Sequence, residues 1–248
     1  MPEPSLRFTV YTAAEKPELL AAINQLSRIS FPRFLFEGDR DISQNWDPIM
    51  ERYPECQFAL FEGEEMVGGG VTVPLAWNGS IDDLPDSFER ILDTGERETP
   101  NVLCATAGLV VDEHQGRGIS RDVLLAMRNI ALQQGLSSLI VPVRPNHKER
   151  YPLVAIEDYI QWRRDDGLLY DPWMRVHERL QAKILKIMPQ AAVVRGTIQQ
   201  WEEWTGMKFL SDGTYVVPGA LTPVEIDLAQ NEGIHIEPNV WMEHKVRD

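Results

Sequence analysis

The stretch "LVVDEHQGRGISRDVLLAMRNIALQQG", residues 109–135, decides the fold. It opens on an apolar, β-branched run that breaks at Asp112 and crosses a loop holding Gly116 and Gly118. Ile119, Val123, Met127, Ile130 and Ala131 then recur at helical spacing until Gly135. Apolar residues every three to four positions mark an amphipathic helix, and a glycine just past them marks its end. "NVLCATAGLVV" before the loop and "SSLIVPVRP" after the helix read as strands, so the unit is strand, glycine loop, helix, strand. A loop feeding a helix N-terminus gathers unpaired backbone N–H groups where the helix dipole favours negative charge. That arrangement cradles phosphate. Glycine lets the backbone approach an anion closely and take positive φ, and Arg117 and Arg121 stand to add charge at the rim.

Spacing decides which phosphate ligand is meant. A Walker loop needs GxxxxGK[ST], and no lysine stands in this loop. A dinucleotide fingerprint needs GxGxxG with an acidic residue closing the next strand, but Arg121 holds the third glycine position and the next strand ends "VPVRPN". The pattern that fits is Gln-x-x-Gly-x-[Gly/Ala], matched in "QGRGIS" by Gln115, Gly118 and, as a small polar substitute, Ser120. Here the chain resembles the GNAT superfamily of acyl-CoA N-acyltransferases. The resemblance implies an α/β (α+β) GNAT fold, a mixed central sheet flanked by helices. It also implies acetyl-CoA or another acyl-CoA as co-substrate. Leu109, Val110 and Val111 would then face pantetheine, and Gln115, Gly116, Arg117, Gly118, Ile119 and Ser120 would surround the pyrophosphate.

A further element expected from the resemblance is a late helix carrying a tyrosine near the cofactor sulfur. "YDPWMRVHERLQAKILKI" reads as that helix, with Asp171 as N-cap and Pro172 at the first helical position. Counting back from "LQA", His177 falls in the tyrosine's place, where a histidine could protonate the departing thiolate. His177 also resembles a histidine of GNAT-like domains in polyketide synthases that decarboxylate malonyl-CoA. The resemblance therefore implies acyl transfer to an amine or thiol in a ternary complex. Its alternatives are a malonyl-CoA decarboxylase that S-acylates a carrier protein, and a CoA-binding module without chemistry. The acceptor is a small molecule or a carrier protein, and a homodimer is left open.

Composition sets the outer bounds. The chain has 248 residues, 43% of them hydrophobic, enough for a sizeable core. A formal net charge of −14 argues against nucleic acid as a partner. No leader pattern opens the chain and no stretch approaches the roughly 18 apolar residues of a membrane span, so a cytoplasmic location without membrane attachment is expected. Cys56 and Cys104 sit in apolar, strand-like settings and read as core thiols; no spacing suggests a metal.

Along the chain, "LRFTVYT" reads as a strand and Thr12 as the cap of a helix over residues 13–29. "DISQNWDPIMERYP" is a second helical region, and the runs around "EGEE" form a hairpin. Gly68, Gly69 and Gly70 inside its second strand mark a bulge or a close approach by a ligand. Residues 78–100 form an acidic excursion with one short helix. The insertion at residues 144–170 either lines the acceptor side with Tyr151, Trp162, Arg163 and Arg164 or packs Tyr159 and Trp162 inward. "AAVVRGTI" and "IHIEPNVWMEHKV" are late strands with an insertion between them, and the "EWTG" and "EPNVW" clusters read as structural. One domain is expected over residues 1–248, with the core at about 7–185 and the late strands and insertion at 186–248.

Overall fold

The computed structural model describes residues 6–94 and 99–246. The first residues, read above for a leader, and residues 95–98 of the acidic excursion lie outside the described residues. The chain runs β1 (Thr9–Thr12), α1 (Leu19–Ser30), α2 (Arg33–Gly38), α3 (Arg40–Arg52), β2 (Phe58–Glu62), β3 (Glu65–Leu75), α4 (Phe88–Thr94) and β4 (Val102–Val110). It continues with α5 (Ile119–Gln133), β5 (Ser138–Val143), α6 (Ile156–Tyr159), α7 (Pro172–Arg179), β6 (Lys183–Gly196), α8 (Ile198–Thr205), β7 (Gly213–Tyr215), β8 (Val224–Asp227) and β9 (Glu232–Lys245).

Among the described residues nine strands belong to one mixed sheet in the order β1-β2-β3-β4-β5-β9-β8-β7, with β6 along the other edge of β9. Strands β1 to β4 form an antiparallel meander, while β4 and β5 pair in parallel. The unit read from residues 109–135 is the crossover joining that parallel pair, and a crossover helix is what such a connection requires. One face of the sheet packs against α1 to α4, with Ile23, Trp46, Val73 and Trp241 in its core; the other packs against α5 to α7, with Leu60, Leu124, Met127 and Met242.

The parallel pair is short. Val102, Leu103 and Cys104 register with Ser138, Leu139 and Ile140, and beyond Cys104 the two strands part. The cause sits in β4, where Ala105 opposes Thr72 and Ala107 opposes Val71, leaving Thr106 as an extra residue. Such a bulge bends its strand and interrupts the ladder. Thr106 Oγ1 donates to Val71 O at 3.0 Å, pinning the bulge from the β3 side.

Several local expectations are corrected. The first helix begins at Leu19 because residues 12–16 close a turn in which Thr12 N and Oγ1 donate to Glu15 Oε2. The helix read through Ile187 ends at Arg179: Gln181 takes φ 66° and the chain leaves as the long strand β6. The Gly68–70 run meets close packing and a register slip. A side chain at Gly70 would collide with Met127 and Phe58, and the register slips beside Gly68. In the 144–170 insertion Tyr151, Tyr159, Trp162 and Tyr170 pack on one another, and none lines the cleft described next.

Candidate active site

Where β4 and β5 part, a cleft of about 570 Å3 opens through the sheet. Gly108 and Val110 of β4, Val141 and Val143 of β5, and Val123 and Met127 of α5 line it on one side. On the other side it is walled by Phe36 of α2, Trp46 of α3 and Phe88 of α4. Past Cys104 the β5-facing edge of β4 has no strand partner among the described residues, so alternate backbone groups there face the cleft.

At the end of β4 one turn of 3-10 helix, Asp112–His114, leads into the glycine loop. Gln115 Nε2 donates to Asp112 Oδ1 at 2.8 Å. Gly116 and Gly118 have φ of 76° and 75°, a left-handed region costly to residues with a Cβ. Gly118 is the N-cap of α5, so the free N–H groups of the first helical turn follow it directly. Gln115, Gly116, Gly118, Ile119 and Ser120 all line the cleft.

Arg117 is the exception. Its Nη2 donates to both oxygens of Glu62 at 2.9 and 2.8 Å, and Nη1 donates to His114 Nδ1 at 2.8 Å. Since arginine only donates, His114 must accept at Nδ1 and give its Nε2–H to Glu65 Oε1, 3.0 Å away. The Arg117 side chain is turned to Glu62 and His114, and neither it nor Arg121 lines the cleft, whose lining arginines are Arg144 and Arg175. Of the three positions assigned to pantetheine through backbone pairing, Leu109 and Val110 end β4 and Val111 follows it, and Val110 lines the cleft. Leu109 is 1% exposed in the opposite core and Val111 packs against that same core.

His177 lies beneath the cleft. Trp173, one turn earlier on α7, lines the cleft over Gly108, where a Cβ would sit 3.2 Å from the indole, and meets the His177 ring edge-on at 4.4 Å. His177 is fully buried, and its Nδ1 lies 2.8 Å from His244 Nε2. Burial first, and the neighbouring His244 second, hold its pKa well below the ordinary histidine value. A sealed, neutral ring has no path to a sulfur in the cleft, which corrects its reading as the catalytic acid. None of the chain's five histidines lines the cleft.

Polar side chains line it from several elements, among them Thr106 of β4, Asp112, Arg144 and Asn146 just after β5, Arg175 of α7, Trp46 of α3, and Glu237 and Asn239 of β9. Glu237 and Asn239 alternate along β9 with Trp241, so they share the face covered by α1 to α4. Arg144 Nε and Nη2 donate to the Glu237 carboxylate at 2.7 and 3.0 Å. Burial alone would raise the Glu237 pKa, but the Arg144 charge, with bonds from His235 and Arg144, overrides it and holds the carboxyl at about 2. Asn239 Oδ1 and Trp46 Nε1 are buried with no hydrogen-bond partner among the described residues. A buried polar atom left so costs about 1–3 kcal/mol. The signal for these residues was the alternation of His235, Glu237 and Asn239 along an otherwise apolar strand. "EPNVW" is therefore more than packing.

No family model matches the chain. It is similar to the arginine N-acetyltransferase avaD of Aspergillus versicolor, 32% identical over 287 aligned positions that cover 96% of this chain and 94% of that protein. Among solved structures, the loading GNATL domain of CurA from Lyngbya majuscula superposes with a TM-score of 0.64 at 17% identity, over 96% of this chain and 98% of that one. The GphF GNAT-like decarboxylase in complex with isobutyryl-CoA gives 0.61 at 15% identity, over 96% and 100%. At these identities the two structures share the fold.

Proposed function

The chain belongs to the GNAT superfamily of acyl-CoA N-acyltransferases, and from that premise we propose that it moves an acetyl group from acetyl-CoA directly to the amine of a small acceptor bound in the same cleft. The observation that carries this reading is the bulge at Thr106. It parts β4 from β5 and opens a passage with a helix N-terminus at one end and buried polar side chains at the other.

In this reading the backbone of residues 115–120 holds the pyrophosphate, with the α5 dipole supplying the attraction that Arg117 does not. The open edge of β4 pairs with the pantetheine arm, and its N–H groups stabilise the oxyanion as the amine attacks the thioester carbonyl. The new N–C bond forms, the C–S bond breaks, and the proton shed by the attacking nitrogen goes to the leaving sulfur. With no histidine in the cleft, rate comes from holding both substrates in line. Decarboxylation of malonyl-CoA was suggested by His177, and its burial behind Trp173 removes that support.

The similarity to an arginine N-acetyltransferase makes arginine the first acceptor to test. Purified protein with acetyl-CoA and arginine should release free thiol and yield N-acetylarginine by mass spectrometry. Its kcat/KM should rise with pH as the acceptor ammonium deprotonates, without a falling limb near pH 6.5. Thiol release that requires no amine, or none with any amine in a panel, would reject the reading.

A further inference from the structure

Asn239 and Trp46 line the same cleft, one from β9 and one from α3, and each has one buried polar atom that nothing among the described residues satisfies. Their exposures are 2% and 4%, so neither atom is left to bulk water. The amide of Asn239 has a fixed sense. Its Nδ2 donates to Pro142 O at 3.2 Å, and a carbonyl oxygen can bond only the NH2 end, so the free end is the oxygen acceptor. Trp46 Nε1 is a donor only.

A third group completes the set. Arg144 spends Nε and Nη2 on Glu237 and on Gly219 O, while Nη1 has no partner among the described residues. The Arg144–Glu237 pair is neutral as a unit, so it favours a dipolar guest over one of large net charge. Of the side chains lining the cleft, Asn239 presents a buried unpartnered acceptor and Trp46 a buried unpartnered donor, and Arg144 adds the N–H groups of Nη1. A molecule that matches them carries an amine N–H and a carboxylate.

We propose that Asn239 and Trp46 read the acceptor, and that the acceptor class is a free α-amino acid. Asn239 Oδ1 takes an N–H of the attacking amine, turning the nitrogen lone pair toward the thioester. Trp46, with Arg144 Nη1, holds the α-carboxylate. The assignment deepens the acyltransfer reading and rests on it for the identity of the attacking atom.

The test is calorimetric binding of L-arginine, and of its decarboxylated form agmatine, to the protein saturated with coenzyme A. Three variants are compared: Asn239→Leu, which removes the oxygen, Asn239→Asp, which keeps one, and Trp46→Phe, which removes only the N–H. CoA affinity of each variant reports that it is folded. Arginine should bind the wild type, about tenfold more weakly to Asn239→Leu and to Trp46→Phe, as expected for one lost hydrogen bond each, and within a few-fold of wild type to Asn239→Asp. Agmatine should bind the wild type more weakly than arginine and be indifferent to Trp46→Phe. The proposal is overturned if the wild type binds no α-amino acid, if Asn239→Leu and Trp46→Phe bind arginine as the wild type does, or if Asn239→Asp loses as much as Asn239→Leu. Variant-sensitive binding without thiol release from acetyl-CoA would sink the acyltransfer reading and leave the pair standing. Thiol release unchanged by the substitutions would do the reverse.

Discussion

His177 Nδ1 lies 2.8 Å from His244 Nε2, and both rings are buried between α7 and β9. The bond needs one of the two ring nitrogens protonated and the other bare, so the two rings cannot both be charged. Burial first, then the Arg128 charge, lowers His244 to about 4, and His177 is also well below its ordinary value. Unfolded histidines take up protons near pH 6.5, so between that pH and about 4 the unfolded state binds more protons and stability falls as pH drops. The melting temperature should therefore decline through this window, and His177→Leu should flatten the decline. At neutral pH a folded His177→Leu protein should keep kcat within a few-fold; a hundredfold loss would restore His177 to catalysis.

Cys56 and Cys104 are 1% and 0% exposed, and burial pushes the Cys56 thiol up to about 12 and Cys104 higher still. A thiol that does not ionise is a poor nucleophile. Native protein treated with iodoacetamide at neutral pH should keep its activity and show no carboxamidomethylated cysteine by mass spectrometry, whereas denatured protein should show two.

The unit from β4 to β5 was legible because its period changed with its structure: β-branched residues, then glycines, then a helical repeat. The ends of elements were less so. "LQAKILKI" carries both helical and strand signals, and the register with β9 decided for strand. The glycine loop could be placed from its spacing, but the direction of Arg117 could not, because Glu62 approaches it only through the β2–β3 hairpin. His177 was misread for the same reason. Its place on a helix was apparent, but which face Trp173 would shield depends on the glycine at position 108, a long-range contact.

Glu237 is held by Arg144 in a nearly dry setting, side chains 3% and 15% exposed. Removing one partner of such a pair strands the other, at a cost of about 3–5 kcal/mol. Glu237→Gln should thus lower stability in urea unfolding at pH 7. Since the folded carboxyl titrates at about 2, its stabilisation is complete above the unfolded carboxylate value and lost only as pH falls toward about 2. The gap between wild type and variant should stay flat from about pH 5 to about pH 8, unlike the histidine slope. A gap that closes on acidification from pH 8 to pH 5 would contradict the assigned ionisation.

Gly118 and Gly135 bracket α5 with nearly the same backbone, φ of 75° and 76°, yet only Gly118 lines the cleft. A Cβ at Gly118 would have Arg7 Nη2 as its nearest neighbour at 3.7 Å, and at Gly135 nothing within 4 Å. Neither substitution to alanine makes a clash, and each carries the left-handed cost of roughly 1–2 kcal/mol. Both variants should lose similar melting temperature. If the loop at 115–120 cradles pyrophosphate, Gly118→Ala should in addition bind CoA about tenfold more weakly, and Gly118→Glu more weakly still through charge repulsion, each factor of ten being about 1.4 kcal/mol. Gly135→Ala should bind CoA as the wild type does. Equal CoA affinity for folded Gly118→Glu and wild type in calorimetry would remove the pyrophosphate from this loop, whatever the melting temperatures.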